Sequence, residues 1–175
     1  GVGMAALAVL LKARGENVSG CDLAQSSRTK WLESKGIQVF IGHDESHMDG
    51  VDVEVATPAL RYDEPEFAEA RARSIPVQMR GEVLSKIVSE RESVAVCGSH
   101  GKTTTSTWIV KLLQALGEDV AWAIGGETGS FPVAGTGDGV LVVEADESDG
   151  TLRNYHPSIL VVNRLDYDHP DHFKT

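Results

Sequence analysis

The stretch Ser93-Val-Ala-Val-Cys97-Gly98-Ser-His-Gly101-Lys102-Thr103-Thr-Thr105 decides how this chain is read. Ser93 to Cys97 is short, mostly apolar and uninterrupted, the pattern of a strand buried on both faces. From Lys102 to Leu116 the apolar residues recur at helical spacing, with Trp108, Ile109, Leu112, Leu113 and Leu116 expected on the core side. Between strand and helix lies a turn that ends in Gly-Lys-Thr. Glycines let such a turn aim several backbone N–H groups at one anion, and the helix N-terminus adds partial positive charge. Lys102 is then placed to reach the β- and γ-phosphates of a nucleoside triphosphate, and the Thr103 hydroxyl to ligate Mg2+. The general phosphate-loop pattern has a glycine five positions before the second one, where this chain has Val96, so the match is to a shortened variant turned on Gly98. Gly98, Ser99, His100, Gly101, Lys102, Thr103 and Thr104 are the expected phosphate contacts.

Downstream, Val140-Leu-Val-Val-Glu144-Ala-Asp-Glu-Ser-Asp149 reads as an apolar strand ending in four carboxylates. Carboxylates at the C-terminal end of a strand beside a phosphate loop suit a metal ion, and like charges packed together favour a cation among them. Glu144 is the expected ligand. Asn163-Arg-Leu-Asp-Tyr-Asp168-His169 follows another apolar strand, and His169 is positioned to ligate a second Mg2+ or Mn2+. His43, His47, His100, His156 and His172, taken singly, read as surface or loop residues.

Upstream, helices are expected over Met4–Arg14, Ser26–Lys35, Glu64–Arg73 and Gly81–Ser89. They alternate with short strands at Asn17–Asp22, Ile37–Phe40, Val51–Ala56 and Ile75–Val77. Further strands are expected at Val120–Ile124 and Ile159–Val162. Alternation of this kind implies α/β architecture with parallel sheets. Two units are expected: residues 1–90, a Rossmann-like nucleotide-binding domain, and residues 91–175, a P-loop ATPase-type domain. Gly1-Val-Gly3 opens a helix and Asp22 follows Gly3 by 19 residues, the spacing at which an acid meets a ribose hydroxyl or base. Either a redox cofactor or a nucleotide-diphosphate substrate fits that spacing. Both ends read as interrupted, the first unit lacking its first strand and the second cut short.

Of the 175 residues, 41% are hydrophobic and 24% charged, a globular balance. A formal charge of −10 without a basic face excludes nucleic acid as a partner, so anions must be held by local devices. No apolar run reaches transmembrane length and no leader is evident, giving a cytoplasmic expectation. The two cysteines, Cys21 and Cys97, lack C-x-x-C spacing and read as small buried hydrophobes.

Together these residues resemble the Mur ligases of bacterial peptidoglycan synthesis. Gly1-Val-Gly-Met with Val18-Ser-Gly-Cys-Asp22 is similar to that family's uridine-nucleotide domain. Thr57-Pro-Ala59 and Arg80-Gly-Glu82-Val-Leu84 resemble its loops before the hinge. Ser99 to Thr105, Gly125-Gly126, Glu144 to Asp149 and Asp168-His169 resemble its ATPase domain. The family usually has Thr-Asn where this chain has Asn163-Arg164. The resemblance implies an ADP-forming ligase that activates the carboxylate of UDP-N-acetylmuramate as an acyl phosphate and joins it to L-alanine. It implies ATP and Mg2+ (or Mn2+) as cofactors, with Lys102, Glu144 and His169 catalytic and Thr103, Glu144 and His169 at metal. Gly1, Gly3, Asp22 and Arg80 would hold the uridine substrate. A third, amino-acid-binding domain would complete the enzyme, and this chain alone would be inactive, a monomer or homodimer without membrane insertion. The alternatives are the recycling ligase, which takes a tripeptide as its amine, and a truncated module that only binds nucleotide.

Overall fold

Small and apolar residues at helical spacing make the first element, α1 (Val2–Ala13), which buries Ala5, Ala6, Leu7, Val9 and Leu10. Gly15, with φ at +90°, lets the chain turn away after it. The computed structural model describes residues 1–57, 64–127, 129–146 and 150–166.

β1 (Ser19–Asp22) and β2 (Gln38–Ile41) form a parallel pair joined through α2 (Ser27–Ser34). A reciprocal cap fixes where α2 starts: Ser26 Oγ accepts from Thr29 N, and Thr29 Oγ1 accepts from Ser26 N. A second parallel pair, β3 (Glu54–Ala56) with β4 (Val77–Met79), is joined through α3 (Pro65–Ala72). Only the last three residues of the expected Val51–Ala56 strand join this ladder, which begins where Glu54 N meets Pro76 O. α4 (Arg80–Ser89) then leads into the largest sheet.

That sheet has five strands in the order β7-β6-β8-β5-β9. They are β5 (Ser93–Cys97), β6 (Val120–Ala123), β7 (Ala134–Gly135), β8 (Val140–Glu144) and β9 (Ile159–Val162), with α5 (Lys102–Ala115) crossing from β5 to β6. All pairings are parallel except that of the two-residue β7, which runs antiparallel at the edge. Alternation sorts the strand residues between two faces. Ala95, Cys97, Ala121, Ala123, Leu141 and Val143 pack with α1 and with Val83, Leu84, Ile87 and Val88 of α4. Val94, Val120, Trp122 and Val142 pack with α5 on the other face. Each fully buried Val or Leu contributes about 1.5–3 kcal/mol, so the strands behind the loops carry the stability. Residues from both sides of position 90 share the first of these clusters.

α5 departs from expectation. Its buried residues are Ser106, Thr107 and Val110, with Ile109 and Leu113 partly covered. Trp108, Leu112 and Leu116 point outward at 73%, 62% and 69% exposure, so they form a second apolar stripe rather than the core side. Among the described residues no helix is long and apolar enough to cross a membrane.

Candidate nucleotide site

β5 ends at Cys97 and the chain must reverse into α5 within four residues, Gly98 to Gly101. Two glycines with positive φ do this: Gly98 at +116° and Gly101 at +80°, the latter capping the helix in left-handed conformation. The end of β9 braces the turn. Asn163 N donates to Cys97 O (3.0 Å) and Ser99 N donates to Arg164 O (2.8 Å). Asn163 Nδ2 donates to Thr105 Oγ1 at 2.9 Å, and Ser99 Oγ lies 3.1 Å from both Asp166 O and Asp166 N. A side chain on Gly98 would meet Arg164 backbone oxygen at 2.8 Å, so only glycine fits where the strand end closes on the turn. Arg164, standing where the family usually has Asn, acts here through its backbone. Its guanidinium turns outward to Asp166 (2.6 Å).

Lys102 opens α5 and its Nζ folds back to donate to Gly98 O at 2.9 Å, which keeps the ammonium over the turn. Thr103, next on the helix, donates its hydroxyl to the Glu144 carboxylate, at 3.1 and 2.9 Å from the two oxygens. Gly125 N, past the end of β6, donates to Glu144 Oε2 at 3.0 Å. The second glycine of that pair is required by packing, because a Cβ on Gly126 would lie 2.6 Å from Thr103 Oγ1. Three elements thus converge on one carboxylate: the α5 start, the turn after β6 and the end of β8.

The first half of the chain reaches the same place. Arg80, at the start of α4, donates from Nη2 to Asp146 Oδ2 at 3.0 Å. A Cβ on Gly3 would lie 2.8 Å from Arg80 Nη1, so α1 approaches the guanidinium through a glycine. Gly3, Arg80, Lys102, Gly125, Glu144 and Asp146 line one cavity of about 220 Å³. The cavity brings two cationic and two acidic side chains together, which suits a ligand carrying several anionic groups together with a divalent cation.

Of the residues expected from sequence, Gly3, Arg80, Lys102 and Glu144 meet in this cavity, and Thr103 adjoins it through Glu144. Gly98, Ser99 and Gly101 form the turn beneath. His100 is 68% exposed, with Nε2 3.8 Å from Asp166, and Thr104 faces solvent on the first turn of α5. Gly1 caps α1 and Asp22 ends β1, and neither lines the cavity. His169, Asp168, Glu147 and Asp149 lie outside the described residues. Sequence reasoning left Asp146 without a partner and gave Asn163 no role in holding the turn. The only signal for either was position at the C-terminal end of a strand flanking β5.

Comparison with known proteins identifies the family. The family described as "Mur ligase family, catalytic domain" matches residues 1–92. The chain belongs to the Mur ligase family. It is 42% identical, over 99% of its length, to a UDP-N-acetylmuramate–L-alanine ligase of Rubrobacter xylanophilus. To a protein of the same description from Symbiobacterium thermophilum it is 46% identical over 97% of its length. It covers 39% and 36% of those two relatives, so the chain spans about two fifths of their length. Among solved Mur ligases, a UDP-N-acetylmuramate-alanine ligase from Thermotoga maritima superposes with a TM-score of 0.91 at 28% identity, covering all of this chain and 42% of that one. A UDP-N-acetylmuramate:L-alanyl-gamma-D-glutamyl-meso-diaminopimelate ligase from Neisseria meningitides superposes at 0.85 with 28% identity, covering 99% of this chain and 60% of that one. The α/β fold, with its mostly parallel sheet, is that of these Mur ligases.

Proposed function

We propose that this chain contributes the ATP-binding half-site and the uridine-substrate domain of an ADP-forming UDP-N-acetylmuramate–L-alanine ligase. The observation that carries the reading is the meeting of Lys102, Glu144 and Arg80 in one cavity, with Thr103 hydrogen-bonded to Glu144 and the Gly98–Gly101 turn leading into Lys102. The units that serve the two ligands are residues 91–175 for ATP and 1–90 for the uridine nucleotide, in a cytoplasmic enzyme.

The chemistry asks one anion, the substrate carboxylate, to attack another, the γ-phosphate of ATP. The incoming amine then displaces phosphate from the acyl phosphate and forms the amide. Charge neutralisation at the phosphate is the main requirement. Lys102 supplies an ammonium on a short swing from Gly98 O, and the backbone amides of the turn supply oriented dipoles. The donor set of Thr103 hydroxyl and Glu144 carboxylate consists of hard oxygens, 2.9 Å apart at the closest, and fits Mg2+. When bound there, Mg2+ would offset the charge of the phosphates, and His169 is the proposed ligand for a second ion. Arg80, lining the same cavity, would hold anionic substrate groups, with Asp146 fixing its guanidinium. Gly1, Gly3 and Asp22 are the proposed contacts of the uridine nucleotide.

Phosphate release by the full-length protein, assayed with UDP-N-acetylmuramate, ATP and either L-alanine or a tripeptide, tests the assignment. L-alanine should support turnover and the tripeptide should not. Lys102→Ala should lower turnover by at least about a hundredfold with the circular dichroism spectrum unchanged. Turnover with the tripeptide alone would make this the recycling ligase. No turnover with either amine, alongside intact nucleotide binding, would leave a binding module.

A further inference from the structure

A second cluster lies away from the phosphate turn, at the C-terminal ends of β1 and β2. Cys21, on β1, faces His43, just past β2, with Sγ and Nδ1 3.5 Å apart. The same Nδ1 lies 3.0 Å from Glu66 Oε2, on the first turn of α3. One ligand atom from each of the three residues falls within 4.8 Å of the others. Glu66 is 7% exposed and the His43 side chain 17%, although histidines at this place in the sequence read as surface residues.

We propose that Cys21 Sγ, His43 Nδ1 and a Glu66 carboxylate oxygen form a zinc site that ties the end of β1 to the loop after β2 and to α3. The spacing fits. Tetrahedral ligands on bonds of about 2.3 Å to sulfur and about 2.0 Å to nitrogen or oxygen sit about 3.3–3.6 Å apart, so the Sγ–Nδ1 and Nδ1–Oε distances need little adjustment. The charge fits as well. A dication with one thiolate, one carboxylate and a neutral imidazole sums to zero, the cheapest arrangement for a half-buried site. A sulfur–nitrogen–oxygen set selects zinc over the hard cations that Thr103 and Glu144 suit.

The surroundings match the outer shell of a metal centre. His43 Nε2, the ring nitrogen left over, has Glu64 Oε2 at 3.7 Å. The spare Glu66 oxygen is held by His47 Nδ1 at 2.8 Å, and the His47 ring is itself stacked on Phe40, centroids 4.4 Å apart. Glu54 adds a carboxylate oxygen that is closed off from solvent and has no hydrogen-bond partner among the described residues, and it repels charge on both Cys21 and Glu66. A cation at the cluster relieves that repulsion.

Co2+ is the probe, added to the full-length protein in excess Mg2+ and ATP so that Mg2+ competes for the hard-oxygen site. One Co2+ per chain should bind with a near-ultraviolet thiolate charge-transfer band and the intense visible bands of tetrahedral coordination, and Zn2+ should displace it. Cys21→Ser should abolish the charge-transfer band, and His43→Gln should weaken Zn2+ binding about tenfold or more. The proposal is overturned if the wild-type protein shows no thiolate band at one equivalent, a result that needs no variant to fold. It is equally overturned if Cys21→Ser retains the band, since the thiolate would then come from another cysteine.

Discussion

Replacing Gly98 with alanine tests the link between the β9 end and the Gly98–Gly101 turn. At φ +116° an L-residue is strained, at a cost of about 1–3 kcal/mol. The new Cβ would also lie 2.8 Å from Arg164 O and 3.0 Å from Arg164 N. Those atoms belong to backbone that is already pinned, because Asn163 N donates to Cys97 O and Arg164 O accepts from Ser99 N. Relieving the overlap sacrifices the Ser99 hydrogen bond, about 0.5–1.5 kcal/mol. Together Gly98→Ala should cost about 2–4 kcal/mol. Urea unfolding followed by circular dichroism reads this as a lower midpoint at unchanged slope, and calorimetry should show Mg-ATP affinity reduced at least about tenfold, since the displaced turn is the one that carries Lys102. Gly117→Ala is the control: φ is +84° there but no atom stands within 4 Å of the new Cβ, so backbone strain acts alone, about 1 kcal/mol. If the two variants lose equal stability and Gly98→Ala binds Mg-ATP normally, the brace between Arg164 and the turn has no energetic content and the reasoning is wrong.

Three other outcomes are expected. Trp108→Gln should change unfolding free energy by less than about 0.5 kcal/mol, because the ring is 73% exposed, whereas Val110→Ala, fully buried, should cost about 2 kcal/mol; the reverse order in a urea titration would put the core on the wrong side of α5. Burial pushes the Glu66 carboxyl up, but hydrogen bonds from His47, its own backbone, Cys21 and the Asp44 backbone outweigh it and bring the value from 4.5 down to about 2. Its contribution is therefore present above pH 4.5 and lost as pH falls toward 2, so Glu66→Gln should flatten that part of the stability–pH curve, and parallel curves would remove Glu66 from the acid response. Glu144→Ala should weaken the Mg2+ dependence of ATP binding, and an identical Mg2+ titration would take Glu144 out of the site.

The Gly98–Gly101 turn was legible because its geometry is local: a buried strand, two glycines that must take positive φ, and Gly-Lys-Thr at a helix start lie within a dozen residues. The α/β class followed from alternation for the same reason. The orientation of α5 was not legible, since Trp108, Leu112 and Leu116 form one apolar stripe at helical spacing and Ile109 with Leu113 supply another. Choosing between them depends on Val94 and Val142 in a sheet assembled from distant segments, and on Ser106 and Thr107 being small enough to lie under the turn. β7 escaped notice because two residues carry no periodicity. Cys21, His43 and Glu66 are separated by 22 and 23 positions and meet only when α3 packs against the turn that follows β2, so spacing rules for metal ligands have nothing to act on.

The carboxylate of Glu144 serves two masters before any ion arrives: the Thr103 hydroxyl and the Gly125 amide both donate to it. Hydrogen bonds to a charged acceptor are worth about 1.5–3 kcal/mol each, and a bare cation must displace at least the hydroxyl's proton from that oxygen pair. Intrinsic metal affinity is discounted accordingly. At the proposed site, an ion that brings phosphate oxygens with it would recover the difference, so the arrangement would favour Mg2+ carried by a nucleotide over the free ion.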